Sequence, residues 1–282
     1  MATRVVAVLG AGTMGHGVAH AAAAAGFETR LFDVSDAQLA KARTQIDAIL
    51  RKAVELGKLQ AAEADHAMAR LHTSSAVADV LGEADLIIET APERIDIKLG
   101  LFADIERHAR KDAIVASNTS ALSITEMAGT LSDPSRVAGM HFFNPVHKMK
   151  LIEIVRALES SERALETVEA VSKQMGKETV LVREAPGFIT TRVNASIGNE
   201  AFYMLMEGVA SARDIDKALK LGLNHPMGPF ELVDLVGLDT RLSILEYLHR
   251  SMGEKYRPCP LLAQYVKAGR LGKKVGKGVY EY

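Results

Sequence analysis

The sequence predicts an α/β protein, with a doubly wound sheet that carries an inserted helical hairpin and is followed by an all-helical domain. Short apolar runs typical of buried strands alternate with helical stretches over about the first 180 residues. A glycine-rich turn follows the first run. Beyond Pro186-Gly187-Phe188 the strand signals end and apolar residues recur at helical spacing. We therefore assign residues 1–185 to the first domain and 186–282 to the second.

Composition and charge exclude several classes of function. The net charge is −1, so nothing indicates nucleic acid or an anionic membrane surface as a partner. A single cysteine, Cys259, excludes an intrachain disulfide and fits a reducing compartment. No apolar segment approaches the length of a membrane span, and the first residues leave no room for a signal peptide. We expect a cytoplasmic protein and assign no metal ligands.

The first apolar run, Val5 to Leu9, leads directly into a glycine-rich turn and then an alanine-rich helix. The turn has the pattern G-x-G-x-x-G. Its three glycines allow a tight turn, the close approach of a pyrophosphate and close packing of the helix on the strand. Free N–H groups at the start of the helix would meet the phosphates. The candidate dinucleotide contacts are Gly10, Gly12, Thr13, Met14 and Gly15.

Asp33 ends the second strand-like run, Thr29 to Phe32. A carboxylate here accepts from the ribose 2′-hydroxyl of NAD and repels the 2′-phosphate of NADP. An alternative role is local, as a turn or capping residue, because Ser35 and Gln38 form a possible capping box. With strand, glycines, helix, strand and acid in this order, the sequence favours NAD binding.

A helical hairpin is predicted between the second strand and the rest of the sheet, from Asp36 to about Arg70. Gly57 separates its two helices. Arg51, Lys52 and Lys58 lie near its tip. They form either a solvated basic face or a binding site for an anionic substrate, such as one with phosphate groups.

Polar groups follow three further strand-like runs. They include Ala91-Pro92-Glu93 with Lys98 shortly after, the run Ser117 to Ser120 that contains Asn118, and Asn144. Ligands of doubly wound sheets bind beyond the carboxyl ends of the strands, so these groups are candidate contacts. Helix capping is the alternative for the hydroxyl and amide cluster.

A histidine and a carboxylate form the candidate catalytic pair. Glu153 lies in the apolar run Leu151 to Val155, which alternation along a strand predicts to be apolar on both faces. A carboxylate there needs a partner, and His141, twelve residues earlier, is the candidate. Such a pair is either structural or a general base held by an acid.

The chain resembles the short-chain L-3-hydroxyacyl-CoA dehydrogenases, and among them the bacterial 3-hydroxybutyryl-CoA dehydrogenases. The resemblance rests on ordered motifs along the whole chain: G-A-G-T-M-G at 10–15, S-N-T-S at 117–120, G-M-H-F-F-N-P at 139–145, P-G-F at 186–188 and H-P-M-G-P-F-E-L at 225–232. It implies a Rossmann-type NAD domain, a helical domain that forms a homodimer, and reversible hydride transfer between NAD and carbon 3 of an acyl-CoA.

The resemblance also implies roles for individual residues. His141 falls on the family's catalytic histidine, Glu153 on its partner and Ser120 on the residue that contacts the substrate oxygen. Cofactor contacts are implied for Glu93, Lys98, Asn144 and Lys274, and a role in holding CoA for Lys52 and Lys58. Thr191 stands where the family usually has a substrate-contacting Asn, and Asn194, almost one turn further along, is a candidate substitute.

Two rival interpretations remain at this point. One is a dehydrogenase of the same architecture that acts on a hydroxy acid without CoA. The other is a non-catalytic NAD-binding protein, against which the intact set of Ser120, His141 and Glu153 argues. The apolar content of the helical domain exceeds what fewer than 100 residues readily bury alone, which favours docking on the first domain or a homodimer.

Overall fold

The structure, a computed structural model, describes residues 3–282. The chain divides into two compact units between Glu184 and Ala185. The first unit is built on an eight-stranded sheet in the order β3-β2-β1-β4-β5-β6-β7-β8. Its strands are β1 (Val5–Leu9), β2 (Glu28–Phe32), β3 (Leu71–Ser74), β4 (Leu86–Glu89), β5 (Ile114–Ser117), β6 (Val137–Phe142), β7 (Leu151–Arg156) and β8 (Glu178–Arg183).

Strands β1 to β6 run parallel in the order 3-2-1-4-5-6, which is the Rossmann order. The chain then reverses, because β7 pairs antiparallel with β6 and β8 pairs parallel with β7. The predicted fold class is therefore confirmed. The spacing of apolar runs does not predict this reversal at β7.

Helices cover the sheet: α1 (Thr13–Ala24), α2 (Asp36–Glu55), α3 (Ala61–Ala69), α4 (Val77–Leu81), α5 (Ile95–His108), α6 (Ile124–Ala128) and α7 (Glu162–Gln174). One layer of the core joins α1, α2, α3 and α7 to the sheet. Ala19, Ala22 and Ala23 of α1 are fully buried in it. Their small side chains let the helix lie close to the strands, which places its N-terminus at the sheet edge.

The inserted hairpin consists of α2 and α3, joined by a turn in which Gly57 has a φ of +67°. Leu39, Ile46 and Leu50 bury the inner face of α2. The chain then adds β3 at the edge of the sheet, beside β2. The sequence analysis missed β3, since its four residues, Leu-His-Thr-Ser, contain one apolar side chain. An edge strand exposed to solvent needs no apolar run.

The second unit is helical, with α8 (Thr190–Met206), α9 (Ala212–Gly222), α10 (Pro229–Val236), α11 (Leu238–Met252) and α12 (Pro260–Lys267). Apolar residues recur at helical spacing from Ile189 to Leu205, and among them Ile189 and Val193 are about half exposed whereas Ala201 is fully buried. The buried residues of the helix include Ala195, Gly198 and Phe202. The buried face of α8 therefore combines small side chains, which allow close packing, with the large ring of Phe202.

The C-terminal segment of the second unit is ordered by a buried carboxylate. Asp234 accepts hydrogen bonds from the backbone N–H groups of Val279 and Tyr280, at 2.8 and 2.9 Å, and from the hydroxyl of Tyr282 at 3.0 Å. Among the described residues no helix is long and apolar enough to cross a membrane.

Candidate active site

The carboxyl ends of four neighbouring strands meet at one edge of the sheet. In the parallel register Leu9 of β1 lies beside Phe32 of β2 and Glu89 of β4, and Glu89 lies beside Ser117 of β5. The glycine turn, Asp33 and the two polar loops therefore start from the same level of the sheet. This is the edge at which ligands of doubly wound sheets bind.

The glycine turn has the geometry of a pyrophosphate cradle. A Cβ on Gly15 would lie 1.7 Å from the carbonyl oxygen of Gly10, so only glycine fits there. A Cβ on Gly12 would instead meet open space. Gly12 is the N-cap of α1 and gives no side-chain cap, so the first N–H groups of the helix are available to an anion.

Asp33 has the local turn role that the sequence offered as one of two alternatives. Its carboxylate accepts hydrogen bonds from Ala11 N at 2.9 Å and from Ser35 N at 3.0 Å. Ser35 also caps α2, while the Gln38 side chain donates to the Ala11 carbonyl at 2.8 Å instead of completing a capping box. The acid is thus tied to the glycine turn, and a carboxylate oxygen has lone pairs left for a ribose hydroxyl.

Glu93 organises the loop after β5. One oxygen, Oε1, accepts from Thr119 Oγ1 at 2.6 Å, from Ser120 N at 2.8 Å and from Ala121 N at 3.1 Å. Its other oxygen lies 3.7 Å from Lys98 Nζ. The two segments that the sequence singled out separately, around Glu93 and around Ser120, are therefore one hydrogen-bonded unit.

Glu89, which the sequence analysis missed, contacts both of these hydrogen-bonded segments. It is fully buried, and its carboxylate accepts from Lys98 Nζ at 2.7 and 2.9 Å, from Ser117 Oγ at 2.6 Å and from Ala91 N at 2.6 Å. A signal was present, because a carboxylate that ends the buried run Leu-Ile-Ile needs a partner for the same reason as Glu153.

His141 and Glu153 form a direct pair. They stand opposite each other in the antiparallel register of β6 and β7. His141 Nδ1 lies 2.7 Å from Glu153 Oε2, and both side chains are buried. Side chains directly opposed on an antiparallel pair lie on the same face and close together, so the reversal at β7 creates this contact.

The end of β6 is fixed to the end of β5. The side-chain oxygen of Asn118 accepts from Phe142 N at 2.8 Å, next to His141. The Phe143 ring lies 4.6 Å from the His141 ring, centroid to centroid, and Asn144 follows as an exposed residue. Asn118 therefore holds the histidine strand against the polar loop that contains Ser120.

The remaining predicted residues lie on other elements. Lys52 pairs with Glu55 at 2.8 Å near the end of α2, and Lys58 is exposed just beyond the hairpin turn. In the second unit, Thr191 and Asn194 are half-buried on the first turns of α8. Lys274 donates to Asp239 at 2.6 and 2.7 Å.

Comparison with known proteins identifies the family. The family model of the 3-hydroxyacyl-CoA dehydrogenase NAD binding domain matches residues 5–185, and that of the C-terminal domain matches residues 187–282. The chain belongs to the 3-hydroxyacyl-CoA dehydrogenase family. The resemblance inferred from the motifs is therefore confirmed.

Individual members of the 3-hydroxyacyl-CoA dehydrogenase family match over the whole chain. A probable 3-hydroxybutyryl-CoA dehydrogenase of Bacillus subtilis is 44% identical and covers 100% of this chain and 98% of its own. The 3-hydroxybutyryl-CoA dehydrogenase of Bradyrhizobium diazoefficiens is 41% identical, with 98% and 94% covered. The crystal structure of (S)-3-hydroxybutyryl-CoA dehydrogenase from Ralstonia eutropha superposes with a TM-score of 0.95 at 42% identity, covering 100% of this chain and 99% of its own.

Membership makes the chain an oxidoreductase with NAD as its cofactor. The first unit fits this dinucleotide. Gly12 leaves room for a pyrophosphate before the helix, the first amides of α1 have no side-chain cap, and Asp33 directly follows β2 beside the glycine turn. These residues favour NAD over NADP, because the Asp33 carboxylate would repel a 2′-phosphate.

Proposed function

We propose that this dehydrogenase catalyses the reversible oxidation of (S)-3-hydroxybutyryl-CoA to acetoacetyl-CoA, with His141 as the general base and Glu153 as its partner. The observation that carries the proposal is the 2.7 Å contact between His141 Nδ1 and the buried Glu153 carboxylate, at the sheet edge that also holds the dinucleotide turn. Bound NAD supplies the acceptor for the hydride that leaves carbon 3.

In the oxidative direction, the 3-hydroxyl gives its proton to His141 while the hydride leaves carbon 3, and the alcohol becomes a ketone. Because Nδ1 bonds to Glu153, we assign Nε2 as the nitrogen that takes the proton. The Glu153 carboxylate fixes the tautomer and stabilises the imidazolium that forms. In the reductive direction the same imidazolium returns the proton to the alkoxide oxygen.

Ser120 positions the substrate oxygen in this proposal. Its backbone is held by Glu93, so its hydroxyl is presented from a fixed loop. A fixed donor contributes mainly by orienting the reacting atoms. Thr191 and Asn194 are proposed substrate contacts, since residues three apart on a helix share a face.

The CoA moiety and the assembly complete the proposal. Lys52 and Lys58 on the hairpin would bind the phosphates of CoA.

The helical unit exposes large apolar side chains, among them Val209, Leu221 and Leu223. Exposed apolar patches mark interaction surfaces, so we propose that this unit forms a homodimer. Size-exclusion chromatography with light scattering should then give twice the mass of one chain.

An NADH assay at 340 nm tests the substrate assignment. Acetoacetyl-CoA, longer 3-ketoacyl-CoAs and free acetoacetate are compared in parallel. We expect the highest kcat/KM with acetoacetyl-CoA and almost no turnover of the free acid. Equal turnover of free acetoacetate would replace our substrate with a hydroxy acid that lacks CoA.

The His141→Gln variant tests the base in the same assay. Loss of a positioned general base should lower kcat by about a hundredfold or more, with NADH affinity retained. His147→Gln is the matched control, because His147 is an exposed histidine on the same connection and should leave kcat unchanged. Near-normal turnover of His141→Gln would exclude the role.

A further inference from the structure

The carboxylate of Glu89 and the ammonium of Lys98 form an ion pair inside the protein. The two side chains are 0% and 1% exposed. Lys98 Nζ donates to both Glu89 oxygens, at 2.7 and 2.9 Å, and to the carbonyl of Ala91 at 3.2 Å. An ammonium has three hydrogens, so these three acceptors use its full donor capacity within the protein.

The pair connects two loops of the sheet edge. Glu89 accepts from Ala91 N and therefore fixes the start of the loop after β4. It also accepts from Ser117 Oγ, and Ser117 Oγ in turn accepts from Thr119 N at 3.2 Å at the start of the loop after β5. Glu93 links the two loops a second time, through Thr119 and Ser120. The two loops are therefore held together at two places, by Glu89 and by Glu93.

Stability does not explain why this ion pair is buried. Removing two charges from water is costly, and well-packed apolar residues of similar volume are often as stable or more stable. An ion pair does differ from an apolar contact in direction, because charge-assisted hydrogen bonds specify distance and angle. A buried pair at the ligand edge of the sheet is therefore well suited to fix the position of a loop.

We propose that Glu89 is a positioning residue for the nicotinamide half of NAD. Through its hydrogen bonds with Lys98, Ser117 and Ala91, Glu89 fixes the positions of the two loops that contain Glu93 and Ser120. The glycine turn and Asp33 are the predicted contacts of the adenosine and pyrophosphate, whereas the Glu89 carboxylate accepts hydrogen bonds from Ala91, Lys98 and Ser117. The proposal depends on the NAD cofactor alone and not on the identity of the acyl substrate or on His141.

Binding of two different ligands tests the two halves of the cofactor separately. NADH contains the nicotinamide and its ribose, whereas ADP has only the adenosine and two phosphates. We expect Glu89→Gln to weaken NADH binding by about tenfold, the effect of one charged hydrogen bond, and to change ADP binding by less than about twofold. NADH fluorescence enhancement and calorimetry with ADP measure these affinities without any acyl substrate. An equal loss for both ligands, or no loss for either, would overturn the proposal.

A double variant separates positioning from stability. Glu89→Met with Lys98→Met replaces the ion pair by apolar side chains of similar length, so the melting temperature should stay the same or rise. We still expect NADH binding to be about tenfold weaker than in the native protein. Native NADH affinity in a stably folded double variant would show that the pair has no positioning role.

Two single variants complete the test. Ser117→Ala removes one partner of Glu89 and keeps the ion pair, so its NADH affinity should fall by about threefold, between the native protein and Glu89→Gln. Glu106→Gln is the matched control, because Glu106 lies at the other end of α5 from Lys98 and pairs with Arg136. Its NADH affinity should equal that of the native protein, and a tenfold loss there would mean that any lost carboxylate in this unit disturbs the cofactor.

Discussion

His141 and Glu153 are directly opposed on two antiparallel strands, with 2.7 Å between Nδ1 and Oε2. The chain direction changes at β7, so the neighbouring strand brings a carboxylate to the face of the sheet that holds the histidine. Glu153 has no exposed surface, so water does not screen its interaction with the ring.

Replacing Glu153 with Gln should lower catalysis without loss of the fold. The amide keeps the shape and a hydrogen bond to the ring, but it lacks the charge that stabilises an imidazolium. We expect kcat with acetoacetyl-CoA to fall by at least about tenfold, with NADH affinity within about twofold of the native value. Steady-state kinetics measures kcat, and NADH fluorescence measures binding. Unchanged kcat would reduce the pair to a structural contact.

The two glycines of the phosphate turn should respond differently to alanine. Gly15→Ala places a methyl group 1.7 Å from the Gly10 carbonyl oxygen, so the turn must shift, at a cost of about 1–3 kcal/mol of unfolding free energy. Gly12→Ala meets open space and should leave stability within about 0.5 kcal/mol, yet weaken NADH binding by about tenfold or more where the pyrophosphate approaches. Urea denaturation and NADH titration check both. Identical behaviour of the two variants would contradict the cradle geometry.

Asp33 should determine the preference between the two nicotinamide cofactors. Asp33→Asn removes the negative charge that repels a 2′-phosphate while keeping an acceptor for Ala11 N. We expect the ratio of kcat/KM for NADH over NADPH to fall by about tenfold, mainly through better use of NADPH. Parallel assays with the two cofactors give the ratio. An unchanged ratio would show that Asp33 only stabilises the glycine turn and does not select the cofactor.

His20 on α1 should make stability depend on pH. Burial, aided by repulsion from His147, Lys177 and His16, lowers the pKa of His20 from 6.5 to about 4 in the folded protein. The unfolded chain binds a proton as the pH falls through about 6.5, whereas the folded protein does so only near 4, so stability is lost between these values and not below them.

The size of this effect can be isolated with His20→Gln. Between pH 7 and pH 5 the native protein should lose about 1–2 kcal/mol more unfolding free energy than the variant. Urea denaturation at the two pH values measures the difference. Because His20 is a helix residue outside the dinucleotide turn, its replacement should leave NADH affinity at pH 7 unchanged. Equal pH dependence of both proteins would show that His20 keeps an ordinary pKa.

Local sequence predicted the parts of the molecule that depend on local rules. The G-x-G-x-x-G pattern predicted the turn before α1, since only glycine fits at Gly15. Helical periodicity interrupted at Gly57 predicted the hairpin of α2 and α3, which the structure has. Where local rules are weak, prediction failed: β3, which has one apolar side chain, was missed.

The sequence by itself thus determined the fold class, the dinucleotide turn and the family, because backbone conformation and apolar periodicity act within a few neighbouring residues. The sequence proposed His141 as the partner of Glu153, but tertiary structure alone decided the geometry of that contact and of the contacts around Glu89. The register of β6 and β7 placed Glu153 opposite His141, and the parallel register of β4 and β5 brought Ser117 beside Glu89. Such contacts join residues distant in the chain, and their geometry follows from strand direction and pairing, which no local pattern encodes.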